Sequence, residues 1–286
     1  MSPASPKKQR CPLLVVDGDS FAHRAYHALP KSMRRQDGGP ANALIGFTNM
    51  LLRLWDDERP RSVLVAWDTL EVPTYRHEAL DVYQSGRVFE PELLEQLDLL
   101  PGIVSSIGFA CGKAPGYEAD DFLAAAATVE EAEGGEALVA TSDRDAFQLV
   151  TDRVTVLQPA RGVPPTRIGP AQVRERYGVD PSQVPDFIAL RGDPSDKIPG
   201  ARGIGEKRAA ELLGQYASLD AMLEDGRFGS EAEALRLYRH IATMDREAPL
   251  PPLPDVMPDW SAALAHATGL GATGVAKRFQ EALGWT

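Results

Sequence analysis

The chain has 286 residues, 43% of them hydrophobic and 25% charged, so it can form one large or two modest globular domains and is not globally disordered. Its longest apolar runs, such as residues 13–16, are far shorter than the roughly 18 to 20 residues that cross a bilayer. The charged N-terminal stretch lacks the apolar segment of a secretory signal, and two cysteines, Cys11 and Cys111, make no disulfide framework. We therefore expect a cytoplasmic, monomeric protein with no membrane partner and a flexible tail at residues 1–12.

Three short apolar runs predict parallel strands buried on both faces, because they are rich in β-branched or small apolar residues and do not alternate with polar ones. They are residues 13–16, 62–67 and 137–140. Aspartates follow each run: Asp17 after the first, Asp68 after the second, and Asp143 and Asp145 after the third. Since ligands bind at the carboxyl ends of the strands in open α/β sheets, we expect these carboxylates to lie at one edge of the sheet.

Helical stretches alternate with these strands, at residues 41–54 and 118–133, which predicts an α/β fold. Residues 81–108 are ambiguous: a helix start lies at Pro91 and a stop near Pro101, and we expect part of this segment to be a mobile lid. After residue 177 the alternation stops. The predicted division is an α/β core at residues 13–177 and a helical region at residues 178–286, with residues 249–258 as an extended, proline-rich linker.

Nine acidic residues occupy positions in loops or at the start of a predicted helix. They are Asp17, Asp68, Glu118, Asp120, Asp121, Asp143, Asp145, Asp193 and Asp196. The net charge of -11 disfavours a nucleic-acid partner if the acids are spread evenly, but setting these nine aside leaves a nearly neutral remainder. Helix dipoles and turn preferences explain any single acid equally well. Together, however, the carboxylates would repel one another unless cations neutralise them, and an all-oxygen set of ligands selects Mg²⁺ or Mn²⁺.

Two or more such ions can activate a water and stabilise the charge that grows on a phosphoryl group, so phosphodiester hydrolysis is the predicted chemistry. A glycine-rich turn fits this prediction. Gly200, Gly203 and Gly205 separate two predicted helices, and Lys207 and Arg208 open the second one. Such a turn is a plain packing connection about as often as it is a binding site. Because backbone N–H groups at a helix N-terminus bind phosphate without reading sequence, we interpret it as a clamp for a nucleic-acid backbone.

Six blocks of sequence, in order along the chain, resemble the 5′-nuclease family, which includes the 5′ to 3′ exonuclease domain of bacterial DNA polymerase I and the flap endonucleases. They are LLVVDG at Leu13, VAWD at Val65, YRHEA at Tyr75, PGYEADD at Pro115, TSDRDAFQLV at Thr141 and LRGDPSDKIPGARGIGEK at Leu190. The resemblance covers roughly residues 13–247. It implies a PIN-like α/β core with a parallel sheet, a helical helix-three-turn-helix DNA-binding subdomain, and cleavage dependent on Mg²⁺ or Mn²⁺ near the 5′ end of branched duplexes.

The resemblance also implies roles for individual residues. Asp17, Asp68, Glu118, Asp120 and Asp143 would surround a first metal; Asp145, Asp193 and Asp196 would lie toward a second, and Asp121 could serve either. Arg24, Arg76 and Arg87 match basic positions that contact the scissile phosphate or an arch at about residues 81–108. DNA is expected to contact Tyr83, Lys197, Gly200, Arg202, Gly203, Gly205, Lys207 and Arg208, with K⁺ often bound at the glycine-rich turn. The expected partner is flap, nicked or branched DNA, with the RNA of a primer as a further candidate.

One position departs from the family pattern. The arch motif usually reads Tyr, Lys, two small residues, Arg, whereas Gln84 stands here in place of the lysine, so a charge that would position the phosphate is missing. Two alternatives stay open. Asp17-Gly18-Asp19 resembles the nucleophile and acid of haloacid-dehalogenase phosphatases, although that reaction leaves the glycine-rich turn unexplained; the chain could also bind DNA structures without cleaving them. Because no polymerase domain fits after residue 286, we expect a stand-alone nuclease that acts in replication or repair.

Overall fold

The computed structural model describes residues 10–70, 72–86, 88–160 and 162–285. The predicted N-terminal tail therefore lies outside the described residues up to position 9, and so does Arg87. Within the described ranges six strands form one sheet: β1 (Leu13–Asp17), β2 (Ser62–Ala66), β3 (Ala110–Gly112), β4 (Ala137–Ala140), β5 (Val154–Gln158) and β6 (Thr166–Ile168). Their order across the sheet is β3-β2-β1-β4-β5-β6. The first five are parallel to one another, and β6 is an edge strand that pairs antiparallel with β5.

Twelve α-helices accompany the sheet in the described part of the chain. They are α1 (Gly18–Ala28), α2 (Asn42–Glu58), α3 (Tyr75–Ala79), α4 (Pro91–Ser106), α5 (Ala119–Ala132), α6 (Pro170–Tyr177), α7 (Val184–Arg191), α8 (Glu206–Tyr216), α9 (Leu219–Glu224), α10 (Ala232–Ala242), α11 (Trp260–Gly269) and α12 (Thr273–Ala282). None of these described helices is both long and apolar enough to cross a membrane.

Helices cover both faces of the sheet. Successive side chains of a strand point to opposite sides, so the residues of one strand join two different apolar clusters. Leu13 and Val15 of β1 join an apolar cluster formed with α5 and α7 to α10. Leu14 and Val16 join a second cluster formed with α1, α2, α4, α11 and α12. The result is a three-layer α/β core, which explains why the central strands read as continuous apolar runs.

The three predicted strands are confirmed to within one residue at each end. Strands β3, β5 and β6 are absent from the sequence-based prediction. β3 has only three residues, while β5 and β6 lie beyond Asp152, where prolines and glycines obscure the apolar pattern. The predicted helices at residues 41–54 and 118–133 correspond to α2 and α5.

The larger part of residues 81–108 is a core helix, so the expectation of a mobile lid applies only to the residues outside that helix. Helix α4 occupies residues 91–106 and buries Leu93, Leu100 and Val104. Pro101 removes one backbone hydrogen bond, but burial of this apolar face outweighs the loss and the helix continues for five more residues. Among the described residues of this segment, the non-helical part consists of residues 81–86, 88–90, 107 and 108.

The last two helices pack on the α/β core and not on the helical region with which the sequence division groups them. Residues 249–258 carry the chain around the sheet, where the Val256 N–H donates to the Arg61 carbonyl at 2.8 Å. Trp260 of α11 then packs edge to face on Trp55 of α2, with ring centroids 5.1 Å apart. The helical layer that contains α1, α2 and α4 is therefore completed by α11 and α12.

Candidate functional site

A cavity of about 830 Å³ opens where the carboxyl ends of β1, β2 and β4 meet the start of α5 and the turn after α7. We call it the acidic cleft. Nine carboxylates line it: Asp17, Asp19, Asp68, Glu118, Asp120, Asp143, Asp145, Asp193 and Asp196. Eight of these are among the nine acids singled out in the sequence. The ninth acid predicted from the sequence, Asp121, does not line the cleft, whereas Asp19, which was not among those nine, does.

Asp17 is fixed at the end of β1 by two hydrogen bonds. Its Oδ1 accepts from the Ser20 N–H at 2.9 Å, which caps α1, and its Oδ2 accepts from Thr141 Oγ1 at 2.6 Å. Thr141 Oγ1 in turn accepts from the Asp143 N–H at 3.0 Å. These bonds join the ends of β1 and β4 and hold the two carboxylates beside one another.

Asp68 is held between α1 and α5. Its N–H donates to Asp19 Oδ2 at 2.8 Å, and its Oδ1 accepts from the Ala119 N–H, also at 2.8 Å, at the positive end of the α5 dipole. Asp19 thus belongs to the cleft although the sequence assigns it a role only in the phosphatase alternative. Its signal was available, because Asp19 follows the same strand end as Asp17.

Asp193 and Asp196 come from a tight turn after α7, residues 193–198, which we call the acidic turn. Asp193 and Ile198 exchange two backbone hydrogen bonds of 2.8 Å, and Asp193 Oδ1 accepts from the Ser195 N–H at 2.8 Å. Gly192 precedes the turn with φ +78°, and a Cβ there would lie 2.7 Å from the Ile198 carbonyl oxygen. Glycine is therefore required for the turn to close.

Burial, and after it the charges of neighbouring carboxylates, destabilises the charged forms of the cleft acids. Burial raises the pKa of Asp17 to about 7, with Asp143 among the charges that add to the effect. Burial, and next the charge of Asp143, raises the pKa of Asp120 well above its ordinary value. The same two causes, together with Asp193, raise the pKa of Asp145, which lies between the strand-end acids and the acidic turn. The cleft therefore favours bound cations.

The ligand set fits a hard divalent cation in its chemistry. The lining offers carboxylate oxygens, one imidazole at His23 and no thiol. Among the described residues, no group of three Asp, Glu, His or Cys side chains already converges as the ligands of a single ion. Mg²⁺ does not require such a group, because it commonly binds through one or two carboxylates and completes its shell with water.

Arg76 and Asp121 form a buried ion pair beneath the cleft, which corrects the roles that the sequence analysis gave them. Arg76 Nη2 donates to Asp121 Oδ1 at 2.7 Å and Nη1 donates to Asp121 Oδ2 at 2.9 Å. The guanidinium also bonds Glu118 and the carbonyls of Ile241 and Thr243, so all five of its N–H donors are used. Arg76 therefore has no donor for a phosphate, and Asp121 has no place at a metal.

Tyr83 is also buried, although we expected it to contact DNA. Its hydroxyl donates to Glu118 Oε2 at 3.1 Å and accepts from Gln84 Nε2 at 2.9 Å. Arg24 on α1 is half-buried and does not line the cleft. Among the described residues, the arginines that do line it are Arg144 and Arg191, neither of which the sequence analysis singled out.

The glycine-rich turn connects α7 to α8 and presents an open surface. Gly203, with φ +74°, and Gly205 have no atom within 4 Å of the position of a Cβ. Gly200 differs, because a Cβ there would lie 2.4 Å from the Gly192 nitrogen, so its glycine serves internal packing. Four further residues predicted to contact DNA are exposed at or near this turn: Lys197, Arg202, Lys207 and Arg208.

Comparison with known proteins agrees with this architecture. Residues 12–178 match the 5′-3′ exonuclease N-terminal resolvase-like domain, and residues 179–258 match the 5′-3′ exonuclease C-terminal SAM fold. DNA polymerase I of Mycobacterium bovis is 41% identical over 257 residues, which cover 86% of this chain and 28% of that protein. The thermostable DNA polymerase I of Thermus thermophilus is 39% identical over 249 residues, which cover 83% of this chain and 29% of that protein. The chain thus spans less than a third of the length of these relatives.

Among solved structures, the bacteriophage T5 D15 flap endonuclease, in a pseudo-enzyme-product complex with DNA and metal ions, has a similar fold. The TM-score is 0.68 at 18% identity, over 94% of this chain and 98% of that one. This likeness confirms the predicted PIN-like core with a helical C-terminal region. Because both domain models match in succession and together cover most of its length, the chain belongs to the 5′-3′ exonuclease family.

Proposed function

We propose that the chain is a divalent-metal-dependent 5′ nuclease. It hydrolyses phosphodiester bonds near the 5′ end of flap, nicked or branched DNA, as a 5′ to 3′ exonuclease and flap endonuclease, in replication or repair. The observation that carries this proposal is the convergence of nine carboxylates on the acidic cleft, at the carboxyl edge of a parallel sheet. A fold keeps such mutual repulsion only where cations relieve it.

The cleft residues fall into two groups that suit two ions, Mg²⁺ or Mn²⁺. The strand-end acids and the start of α5 would hold the first ion, and Asp145 with the acidic turn would hold the second. When bound, such ions activate a water and stabilise charge on the phosphoryl oxygens. The hydrogen bonds from Ser20, Thr141 and Ala119 fix the orientation of the Asp17 and Asp68 carboxylates, so that less ordering of these two side chains is needed when the substrate arrives.

The turn between α7 and α8 supports a separate function in DNA binding, for which we infer a unit that begins at about residue 178. Its open face at Gly203 and Gly205 lets a phosphate approach the backbone N–H groups at the start of α8, where the helix dipole favours an anion. Lys207 and Arg208, exposed in the first turn of α8, add positive charge. A K⁺ ion at this turn would serve the same contact.

The decisive experiment is a cleavage assay on a panel of 5′-labelled flap, nicked, gapped and blunt duplexes, with Mg²⁺, Mn²⁺ or EDTA. We expect cleavage of the flap with either metal and none with EDTA. Asp143→Asn and Asp120→Asn should each lower single-turnover cleavage by at least about 100-fold, because each loses a ligand charge that supports the transition state. Asp152→Asn, which alters an exposed acid outside the cleft, is the matched control.

The same panel separates the alternatives. Tight flap binding in Mg²⁺ without cleavage would instead identify a DNA-structure-binding protein. Activity on a small phosphoester but none on DNA would identify a phosphatase. Near-normal turnover in both cleft variants would refute the assignment of the metal site.

A further inference from the structure

Two segments meet across the mouth of the acidic cleft. One is residues 83–86, between α3 and α4, which we call the bridging segment; the other is the acidic turn. The Gln84 N–H donates to the Asp196 carbonyl at 3.2 Å, and Gln84 Nε2 donates to Asp196 Oδ1 at 3.0 Å. Lys197 Nζ reaches back across the junction and donates to Ser85 Oγ at 3.0 Å. The junction therefore has a neutral amide on one side and an ammonium on the other.

The backbone aims both side chains at this junction. Gln84 has φ +47° and Lys197 has φ +59°, so both adopt the left-handed conformation that residues with a side chain rarely occupy. A Cβ at Gly86 would lie 3.6 Å from Lys197 Nζ, so the ammonium lies against the backbone of the bridging segment. Lysine has no local hydrogen bond that favours this conformation, unlike asparagine, so its position is set by the fold of the turn.

The charge of this ammonium is available to an incoming anion. Lys197 is exposed, and it forms no salt bridge with any carboxylate among the described residues. Arg191, by contrast, lines the cleft but is paired with Asp193 at 3.3 Å. A phosphodiester that enters a cleft of nine carboxylates meets strong repulsion, and a cation at its mouth reduces that repulsion where the phosphate passes.

We propose that Lys197 binds the scissile or the adjacent phosphate, and that it supplies from the acidic turn the positive charge that the bridging segment lacks at Gln84. This inference rests on the proposed nuclease function and assigns that function one specific phosphate-binding residue. Ser85 holds the ammonium in place until the substrate replaces that hydrogen bond.

Moving the positive charge from one side of the junction to the other tests the inference. Lys197→Asn removes the charge but keeps the left-handed backbone, which asparagine tolerates well, so the variant should fold with an unchanged or higher melting temperature. Gln84→Lys places a cation on the opposite side of the same junction. We expect Lys197→Asn to lower single-turnover cleavage of a 5′ flap by at least about 10-fold, and the double variant to recover to within about threefold of the unaltered protein.

A binding measurement gives a readout independent of turnover. In Ca²⁺, the slope of log Kd against log salt should decrease by about 0.7 to 0.9 in Lys197→Asn, the effect of one lost phosphate contact, and should return in the double variant. Lys277→Asn on α12, which removes an exposed lysine far from the cleft, should change neither the rate nor the slope.

The outcomes separate the two proposals. If the unaltered protein cleaves no flap with Mg²⁺ or Mn²⁺, the proposed function fails and this inference fails with it. If it cleaves and Lys197→Asn cleaves equally fast, only the inference fails. A double variant as slow as Lys197→Asn, in a protein that melts normally, would also overturn it.

Discussion

Replacing Asp17 by asparagine should stabilise the metal-free protein at alkaline pH while abolishing cleavage. Burial raises the pKa of this carboxyl from its ordinary value of 3.8 to about 7. At about 1.36 kcal/mol per pKa unit, that difference in pKa corresponds to about 4 kcal/mol in the free energy of unfolding. Because the pKa is higher in the folded state, the protonated carboxyl stabilises the folded protein. This contribution to the free energy of unfolding is fully present below about pH 4 and is lost as the pH rises through about 7.

Asparagine cannot ionise, so it removes this loss at pH 8. Its single carbonyl oxygen can keep the bond from Ser20 or from Thr141 but not both in their present geometry, which costs about 1 kcal/mol. The expected net gain at pH 8 is about 2 to 3 kcal/mol, or about 5 to 10 °C in melting temperature. At pH 4 the variant should be equal to the unaltered protein or slightly less stable.

Thermal unfolding in EDTA at several pH values between 4 and 8 measures this difference directly. Asp152→Asn, the exposed control, should follow the unaltered protein throughout. Adding Mg²⁺ at pH 8 should raise the melting temperature of the unaltered protein more than that of Asp17→Asn, since the ion offsets the cost of a buried charge that the variant does not carry. Destabilisation of Asp17→Asn at pH 8, or a difference in melting temperature from the unaltered protein that is the same at every pH, would show that the pKa of Asp17 is not raised in the folded protein.

Two further substitutions test features described above. Gly203→Val should weaken duplex binding at least about threefold for every DNA sequence, because the valine side chain would stand where a phosphate approaches the backbone. Fluorescence anisotropy measures the affinity. The control is Gly134→Val, which has a similar positive φ and equally open surroundings far from the turn and should bind as the unaltered protein does. Arg76→Met should lower the free energy of unfolding by about 3 to 5 kcal/mol, because it leaves Asp121 and Glu118 buried without their partner. Urea unfolding measures this loss beside the control Arg53→Met, which breaks an exposed ion pair with Asp57 and should cost no more than about 1 kcal/mol. Equal losses of unfolding free energy in the two variants would contradict the structural role of Arg76.

The acids at the strand ends were predictable because strand geometry alone brings them together. Asp17, Asp68 and Asp143 each follow a buried apolar run, and parallel strands place such positions at one edge. The choice between Asp120 and Asp121 was not predictable. Neighbouring residues on a helix point about 100° apart, so only one of the two can face the cleft. Which one does so is decided by Arg76, 45 positions away from Asp121.

The surface on which α11 and α12 pack was not predictable for a similar reason. Trp260, Ala263 and Ala267 recur at helical spacing, as do Val275 and Phe279, so the sequence indicates amphipathic helices. Spacing identifies an apolar face but not the surface that it covers. Here that surface is formed by α2 and α4, which precede these helices by more than 150 residues.

This long-range packing has a consequence for synthesis of the protein on the ribosome. The apolar layer that supports β1 and α1 contains Phe279 and Ala282, so it cannot close until residue 282 has been translated. Until then the apolar faces of α2 and α4 stay uncovered and are open to chaperones or to aggregation. A fragment that ends at residue 258, where the second domain model ends, would keep every carboxylate of the cleft but leave that layer permanently unfinished.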